Sequence, residues 1–512
     1  MGRNFLLCDR ERDLEMPRDV REWLPPEHLC WKVLDVVGEL DLSAFESGYR
    51  TDGQGGAAYP PANLVALILY CYSKGVRSTR RIEQSCWDDV GCRIITANRR
   101  VDHSTIARFV GRHRAALKSM FVQVLALCDR HGLVDLSAVA VDGSPMDANA
   151  SRDSNRRLHR LEAIISQCEG EIDALLEDAL EHARTVEADD FEGTESGTGS
   201  DGWPRLSRLC DRLTRARSAR DKVYDRALPS PGEIRIKVEA AERMVARAKE
   251  RLAAETAAHQ EKLRKYEARA AADLTAGRRG ANGRPPVSME HKTALVRQRA
   301  RLVKARAWLE RARNPRPVPS PESRACLSDP DSRLMLSKRG GYLQGYNLQL
   351  ACARNQLLLA IEIQDSPSDM TALVPMVTQI QRNCIAAGIV NEVQAWLADC
   401  GYASAANFEA LAGLPLLVAV AREGSDSGPV PQDKSTIPAG QREMADRLDT
   451  PAGRTLYKRR GALVEPGFAQ LFQRFGRHLN YRSTDRVDTE IKLLGTVHNL
   501  NKLLNHTAET RS

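Results

Sequence analysis

Along this chain the spacing of apolar residues changes period several times, and each change marks an element. Ser137-Ala138-Val139-Ala140-Val141-Asp142-Gly143-Ser144 is an apolar, β-branched run that ends in a carboxylate and a glycine. It predicts a buried strand with Asp142 at its C-terminal end, where a glycine-containing turn leaves the sheet. Val393-Gln394-Ala395-Trp396-Leu397-Ala398-Asp399 repeats the arrangement and is followed by Cys400-Gly401-Tyr402. Between them, Tyr346 to Ala353 alternates, turns at Arg354-Asn355-Gln356 and returns from Leu357 to Ile363, which predicts a hairpin. Residues 415–420 read as a further buried strand, and residues 368–387 and 403–411 as helices.

Helical spacing dominates the rest. Pro25-Pro26-Glu27-His28-Leu29 opens a helix. From Pro60, the residues Pro61, Leu64, Leu67, Ile68 and Cys71 form one stripe, and Thr51–Gly56 reads as a loop. Ser78-Thr79-Arg80-Arg81-Ile82-Glu83 starts another helix with capping-box-like chemistry. In the stretch from Asp102 to Arg114, Ser104 is the expected N-cap. Ile106, Phe109 and Val110 face inward, and Arg108, Arg112 and Arg114 face out. Short helices ending in an Arg-bearing face fit a helix-turn-helix-like DNA module, and fit a plain bundle with a solvated basic face equally well.

Residues 155–325 differ in character. Leu158 to Leu180 is helical in spacing, and an acidic Gly/Ser/Thr-rich break follows over 187–202. Ala/Glu/Lys/Arg-rich helical patterns resume at about 205–226, 232–274 and 290–313, with breaks at 229–231, 277–286 and 314–321. This predicts a helical or coiled-coil insertion, either an interaction or DNA-clamping arm or a passive hairpin. Residues 423–448 read as a polar loop, and 464–475 and 485–505 as the last helices. The whole is a mixed α/β sheet of about five strands with helices packed on it, interrupted after its first strand by the helical block.

Length and charge narrow the class. A chain of 512 residues holds two to four domains and at least one large core. Lys and Arg number 75 against 67 Asp and Glu, a net +8 that suits a polyanionic partner. Arg can also grip phosphate with two bonds at once. The 12 cysteines show no CxxC pair, which points to reduced, buried thiols in a cytosolic protein. Cys128-Asp129-Arg130-His131 has ligand-like spacing but no second pair with zinc spacing. The N-terminus lacks a signal-peptide core, and the longest apolar run, Leu64 to Tyr72, is too short to cross a bilayer, so a soluble protein is expected.

The candidate chemistry rests on three acids, the third being Glu465 in Leu463-Val464-Glu465-Pro466-Gly467-Phe468. Phosphodiester chemistry uses divalent metals to bind the attacking and leaving oxygens, and magnesium prefers a few hard carboxylates. Neighbouring strands lie about 4.8 Å apart, so two Asp residues at matching strand ends can share metals roughly 3.5–4 Å apart. A third carboxylate on a packed helix closes such a set. Each acid also has a plain reading: Asp before a turn, Glu at a helix start.

Taken in order, several stretches resemble one family. They are Asp102 to Phe109; Val141-Asp142-Gly143-Ser144-Pro145-Met146-Asp147-Ala148-Asn149-Ala150-Ser151; and Gly345-Tyr346-Asn347-Leu348-Gln349. Further on come Ala398-Asp399-Cys400-Gly401-Tyr402-Ala403-Ser404, Tyr457-Lys458-Arg459-Arg460, Val464 to Phe468, and His498-Asn499-Leu500-Asn501-Lys502-Leu503. The chain resembles a bacterial insertion-sequence transposase with a DDE catalytic domain of the RNase-H-like type.

The resemblance implies a five-stranded RNase-H-like sheet with neighbouring Asp-bearing strands. It implies Asp142, Asp399 and Glu465 as catalytic metal ligands for Mg2+, with Mn2+ able to substitute. The implied layout is an N-terminal helical DNA-binding domain over 1–132, catalytic segments over 133–154 and 326–512, and the insertion over 155–325. Residues 60–130 would bind the element's terminal DNA. A homodimer on DNA, in the bacterial cytoplasm at the nucleoid and without membrane contact, is expected.

Arg108, Arg112, Arg114, Tyr457, Arg459 and Arg460 are the DNA-contact candidates. Asp147 and Asn149 either support the ligands or form a polar turn; Asn355, His498 and Asn499 read as structural. Relatives often carry a Tyr-Arg-Glu-Lys signature. Here Tyr457 and Arg460 fit it loosely, Glu465 falls one position late, and Arg474 is the nearest following basic residue. The implied reaction is metal-dependent strand cleavage at the element's ends followed by strand transfer. The alternatives are an inactive DNA-binding or assembly protein of the same origin, and an RNase-H-like nuclease without strand transfer.

Overall fold

The structure, a computed structural model, describes residues 18–50, 57–189, 202–229, 231–277, 284–337, 340–421, 429–431 and 437–509. The loop expected at Thr51–Gly56, the N-terminus and parts of the breaks at 187–202, 277–286 and 423–448 lie outside the described residues. The chain divides into two compact units, Met1–Asn155 with Cys326–Ser512, and Arg156–Ala325.

The first unit begins with helices. α1 (Leu29–Glu39) is capped by His28, whose Nδ1 accepts from the Cys30 amide, so Pro25 and Pro26 lie ahead of the helix. α2 (Ser43–Glu46) and α3 (Pro61–Ser73) follow, and α3 is buried on every side from Leu64 to Tyr72 rather than along one stripe. Next come α4 (Thr79–Asp88), α5 (Val90–Ile95), α6 (His103–Arg112) and α7 (Arg114–Arg130). Ser78 stands at the N-cap of α4 without a capping side-chain bond. At α6 the cap is Asp102, not Ser104: the Asp102 carboxylate accepts from the amides of Ser104 and Thr105. A charged acceptor at the positive end of a helix outcompetes the hydroxyl beside it.

β1 (Val139–Asp147) then crosses the centre of the unit. It does not turn at Gly143. Every residue from Ala140 to Asp147 has a partner on the antiparallel strand Tyr342–Cys352, so the ladder carries the strand on and leaves Asp142 within it.

The second unit is helical. β2 (Asn155–Arg157) leads to α8 (Leu158–Asp189), α9 (Gly202–Arg226), α10 (Pro231–Thr275) and α11 (Thr293–Arg313), and β3 (Arg324–Cys326) pairs with β2. α8 packs on α9, with Arg217 2.6 Å from Glu169, and α10 packs on α11, with Arg313 3.0 Å from Glu242. Among its buried positions on α9 to α11 are five alanines (Ala216, Ala219, Ala241, Ala305, Ala312), which permit close helix approach.

The chain re-enters the first unit through β4 (Arg333–Leu336), β5 (Tyr342–Cys352) and β6 (Leu358–Gln364), then α12 (Leu373–Ala386) and β7 (Trp396–Ala398). α13 (Ala405–Ala410), β8 (Leu416–Val418), α14 (Arg442–Asp449), α15 (Pro451–Tyr457), α16 (Arg459–Phe475) and α17 (Thr484–Glu509) complete it. The sheet order is β4-β5-β1-β7-β8, with β6 also on β5. β4 takes the first part of β5 and β6 the second, so six strands make a sheet five strands wide. β1, β7 and β8 run parallel to one another, and β5 is antiparallel to β1. The α/β class and the mixed sheet agree with the sequence reading.

Two helical expectations change. The stretch read as a loop up to Leu448 ends in α14, and α16 starts at Arg459 rather than at Val464. Glu465 is therefore mid-helix. Pro466, which signalled a first turn, sits inside α16 and simply withholds one amide from its ladder.

One core serves the sheet and the N-terminal helices: α17 packs on α7, α3 and β6, while α16 lies over β1 and β5. Among the described residues all cysteines are free, and most are buried. No helix among them is long and apolar enough to cross a membrane.

Candidate active site

The parallel pairing of β1 with β7 sets the site. Val141 pairs with Ala398, so the next residues, Asp142 and Asp399, stand side by side on adjacent strands. β7 stops there, and Asp399 caps the 3-10 turn Cys400–Tyr402 by accepting from the Gly401 amide at 2.8 Å. Asp142 Oδ1 accepts from the Gly143 amide at 2.7 Å, and Oδ2 lies 3.3 Å from Arg460 Nη1. The side chains of that ion pair are only 6% and 15% exposed. Tyr457 is buried and donates its hydroxyl to the Ala398 carbonyl at 3.3 Å, and Arg459 reaches Ser137 Oγ at 3.1 Å. The α15–α16 corner thus clasps the strand ends, and Tyr457 and Arg460 point into the protein.

A fourth acid joins the pair. Asp369, at the start of the 3-10 turn Asp369–Thr371, accepts on Oδ1 from Asn347 Nδ2 and Gln349 Nε2, both at 2.7 Å. Gln349 in turn accepts from the Tyr402 hydroxyl at 2.5 Å. Burial pushes the Tyr402 phenol well up, and the charges of Asp369, Asp142 and Asp399 push it further, so it stays a protonated donor. A Cβ at Gly143 would lie 2.2 Å from Asp369 Oδ1, and one at Gly401 would lie 3.5 Å from Asp369 Oδ2. Asp369 is wedged between the residue after Asp142 and the turn after Asp399.

The sequence reading missed Asp369, although a signal existed. Asn347 and Gln349 alternate within a buried strand at 4% and 0% exposure, and buried amides require partners.

Glu465 stands apart, exposed on α16 with its carboxylate folded over Gly461, where a Cβ would lie 3.3 Å from Oε1. Among the described residues no three His, Cys, Asp or Glu side chains come close enough to hold a metal ion. The hard oxygens of Asp142 and Asp399 suit a divalent cation, and Arg460 supplies positive charge beside Asp142 in this structure.

Of the N-terminal arginines, Arg108 is exposed and bonds Thr105 Oγ1 at 3.2 Å. Arg112 is held by the Gly48 carbonyl and lies over the Tyr49 ring, and Arg114 pairs with Asp485 at 2.7 Å. Asn149 is bound to the Asn480 carbonyl at 2.7 Å. Asn499 closes the hairpin, accepting from Leu358 N at 2.9 Å and donating to Leu358 O at 2.8 Å.

Two protein families match the chain: a transposase DDE domain over residues 320–500 and a transposase domain (DUF772) over residues 18–112. No curated protein and no solved structure matches it. Both matched families are transposases, which defines the class of protein. The first match takes in Asp369, Asp399 and Glu465 and most of the sheet; the second takes in the helices up to α6. The chain belongs to the insertion-sequence DDE transposases.

Proposed function

We propose that the protein binds the ends of an insertion sequence and catalyses metal-dependent DNA strand cleavage and strand transfer, with Asp142, Asp399 and Glu465 as the metal-holding acids. The observation that carries this is the register that sets Asp142 beside Asp399 on neighbouring parallel strands. A strand order with three antiparallel members followed by two parallel to β1 supports an RNase-H-like fold. Bound Mg2+, or Mn2+ in its place, supplies Lewis-acid charge and lowers the pKa of water at the scissile phosphate.

The chain's own residues do the rest. Asp369, fixed by Asn347, Gln349 and Tyr402, sets the separation of the two strand-borne carboxylates. Arg460 balances Asp142 and anchors α16, and Glu465 completes the acid set from that helix when DNA docks. Water cleaves a strand at the element's end, and the freed 3′-hydroxyl attacks target DNA in line, with no covalent enzyme intermediate. Positioning and charge stabilisation dominate such catalysis. The helices of 18–112, with Arg108 exposed, contact terminal DNA, and the protein acts as a homodimer in the bacterial cytoplasm.

A second reading, DNA binding without chemistry, draws on the exposed place of Glu465. One assay separates them: incubation of a duplex bearing the element's ends with Mg2+. Cleavage by the wild type, its loss in Asp399→Asn and retained binding by that variant support the proposal. Cleavage that persists in Asp399→Asn overturns the site, and binding without cleavage by the wild type favours the second reading. Cleavage without joined products marks a nuclease.

A further inference from the structure

A pocket of about 620 Å³ opens among the C-terminal end of α3, the second half of α16 and the second half of α17. Ser73, Gln473, Arg474, His498 and Lys502 are among the residues that line it, and no carboxylate does. Lys74 also lines it, but its ammonium pairs with Asp89. Lys502 is partly buried and donates to Gln356 Oε1 at 3.2 Å, and buried His498 meets the Gln356 carbonyl at 2.8 Å. Ser73 Oγ is buried with no hydrogen-bond partner among the described residues.

Two features set this pocket apart from an ordinary basic face. Exposed Arg474 on α16 and half-buried Lys502 on α17 both line this one pocket, with no Asp or Glu in its wall. Loss of hydration lowers the pKa of each, and Arg474 lowers that of Lys502 further. The second feature is a hydroxyl donor left unsatisfied in the same wall. Gathering like charges and unpaired donors costs free energy unless an anion completes them. A tetrahedral oxyanion accepts from hydroxyl, amide, ammonium and guanidinium groups together, and a concave wall of one sign focuses its field.

We infer that this pocket holds a phosphate group of the DNA backbone, at a place apart from the carboxylate pair. The inference rests on the reading of the protein as a DNA-transposing enzyme. Neither Asp142, Asp399 nor Glu465 lines the pocket. Glu465 and Arg474 share α16, nine residues or about two and a half turns apart, and so lie on opposite sides of the helix. A phosphate gripped at Arg474 therefore fixes the helix that carries the third acid.

Phosphate contacts are independent of sequence, so a labelled random-sequence duplex is the probe, followed by fluorescence anisotropy over a salt series. The double variant Arg474→Gln, Lys502→Gln is expected to bind roughly 10- to 100-fold more weakly at low salt, with the slope of log affinity against log salt flatter by about two. Gln473→Glu, an exposed change on the pocket's lining, should weaken binding several-fold without disturbing a partly buried group. Wild-type affinity and slope in both variants would overturn the inference. Asp399→Asn should keep the wild-type slope while losing cleavage, which separates failure of the catalytic reading from failure of the pocket. If inorganic phosphate raises the melting temperature of the wild type but not of the double variant, and no duplex binds, the pocket serves a free anion and the DNA assignment falls.

Discussion

Arg460 Nη1 lies 3.3 Å from Asp142 Oδ2, and both side chains are nearly closed off from water. The pair ties the first turn of α16 to the middle of β1. A charge so enclosed needs an opposite one nearby, and removing either member of the ion pair is costly.

Arg460→Ala should therefore lose about 3–5 kcal/mol of stability, read from the midpoint of urea unfolding. Divalent metal should restore more of the melting temperature in this variant than in the wild type, because a cation then takes the place of the guanidinium. An equal response of the two proteins to metal would show that Asp142 is not a metal-facing group.

Asp369→Asn should lower strand cleavage by about 10- to 100-fold, the usual cost of losing a group that orients metal ligands. The metal concentration for half-maximal activity should rise, while duplex affinity stays at the wild-type value. Gly143→Ala should behave similarly, since its Cβ would meet Asp369 Oδ1 at 2.2 Å. Unchanged metal dependence in both variants would remove Asp369 from the site.

His498 is buried, and burial lowers its pKa to about 4 from the ordinary 6.5. Between those values the unfolded chain holds more protons on this residue than the folded one. Its contribution to stability is therefore complete above pH 6.5 and is lost as pH falls toward 4. The span is worth about 3 kcal/mol. His498→Gln should flatten the stability profile over that window, as measured by denaturant midpoints across pH; a slope equal to the wild type would refute the assignment.

Asn499→Ala should cost about 2–4 kcal/mol, because it removes the two hydrogen bonds that its side chain makes to the amide and the carbonyl of Leu358 in a dry interior. Urea unfolding measures it, and a loss within experimental error of zero would mean that the hairpin satisfies these groups another way.

Much of the architecture was legible because burial leaves period and composition behind. β5, β6, β7 and β8 fall where apolar runs predicted strands, and Asp399 follows β7 as expected. The course of β1 was not legible. Asp142-Gly143 is good turn chemistry, and only the long partner strand overrides it. The start of α16 was hidden by Pro466 for a similar reason: a local signal pointed to a first turn, and tertiary packing extended the helix backward. The inward course of Tyr457 and Arg460 could not be read from residue type, since an arginine beside a buried carboxylate looks, in sequence, like one facing solvent. Asp369 was within reach through Asn347 and Gln349, whose buried amides needed an acceptor.

The parallel pairing of β1 with β7 has a consequence for biosynthesis. About 250 residues separate Asp142 from Asp399, and the Arg156–Ala325 unit is made between them. At a ribosomal pace of roughly 5–20 residues per second, β1 waits tens of seconds before its parallel neighbour exists. Through that interval the nascent chain displays an apolar strand with an open edge, a state prone to mispairing. It also holds one of its two strand-borne acids without the other. A chain cut short before β7 would keep the N-terminal helices and lack the carboxylate pair.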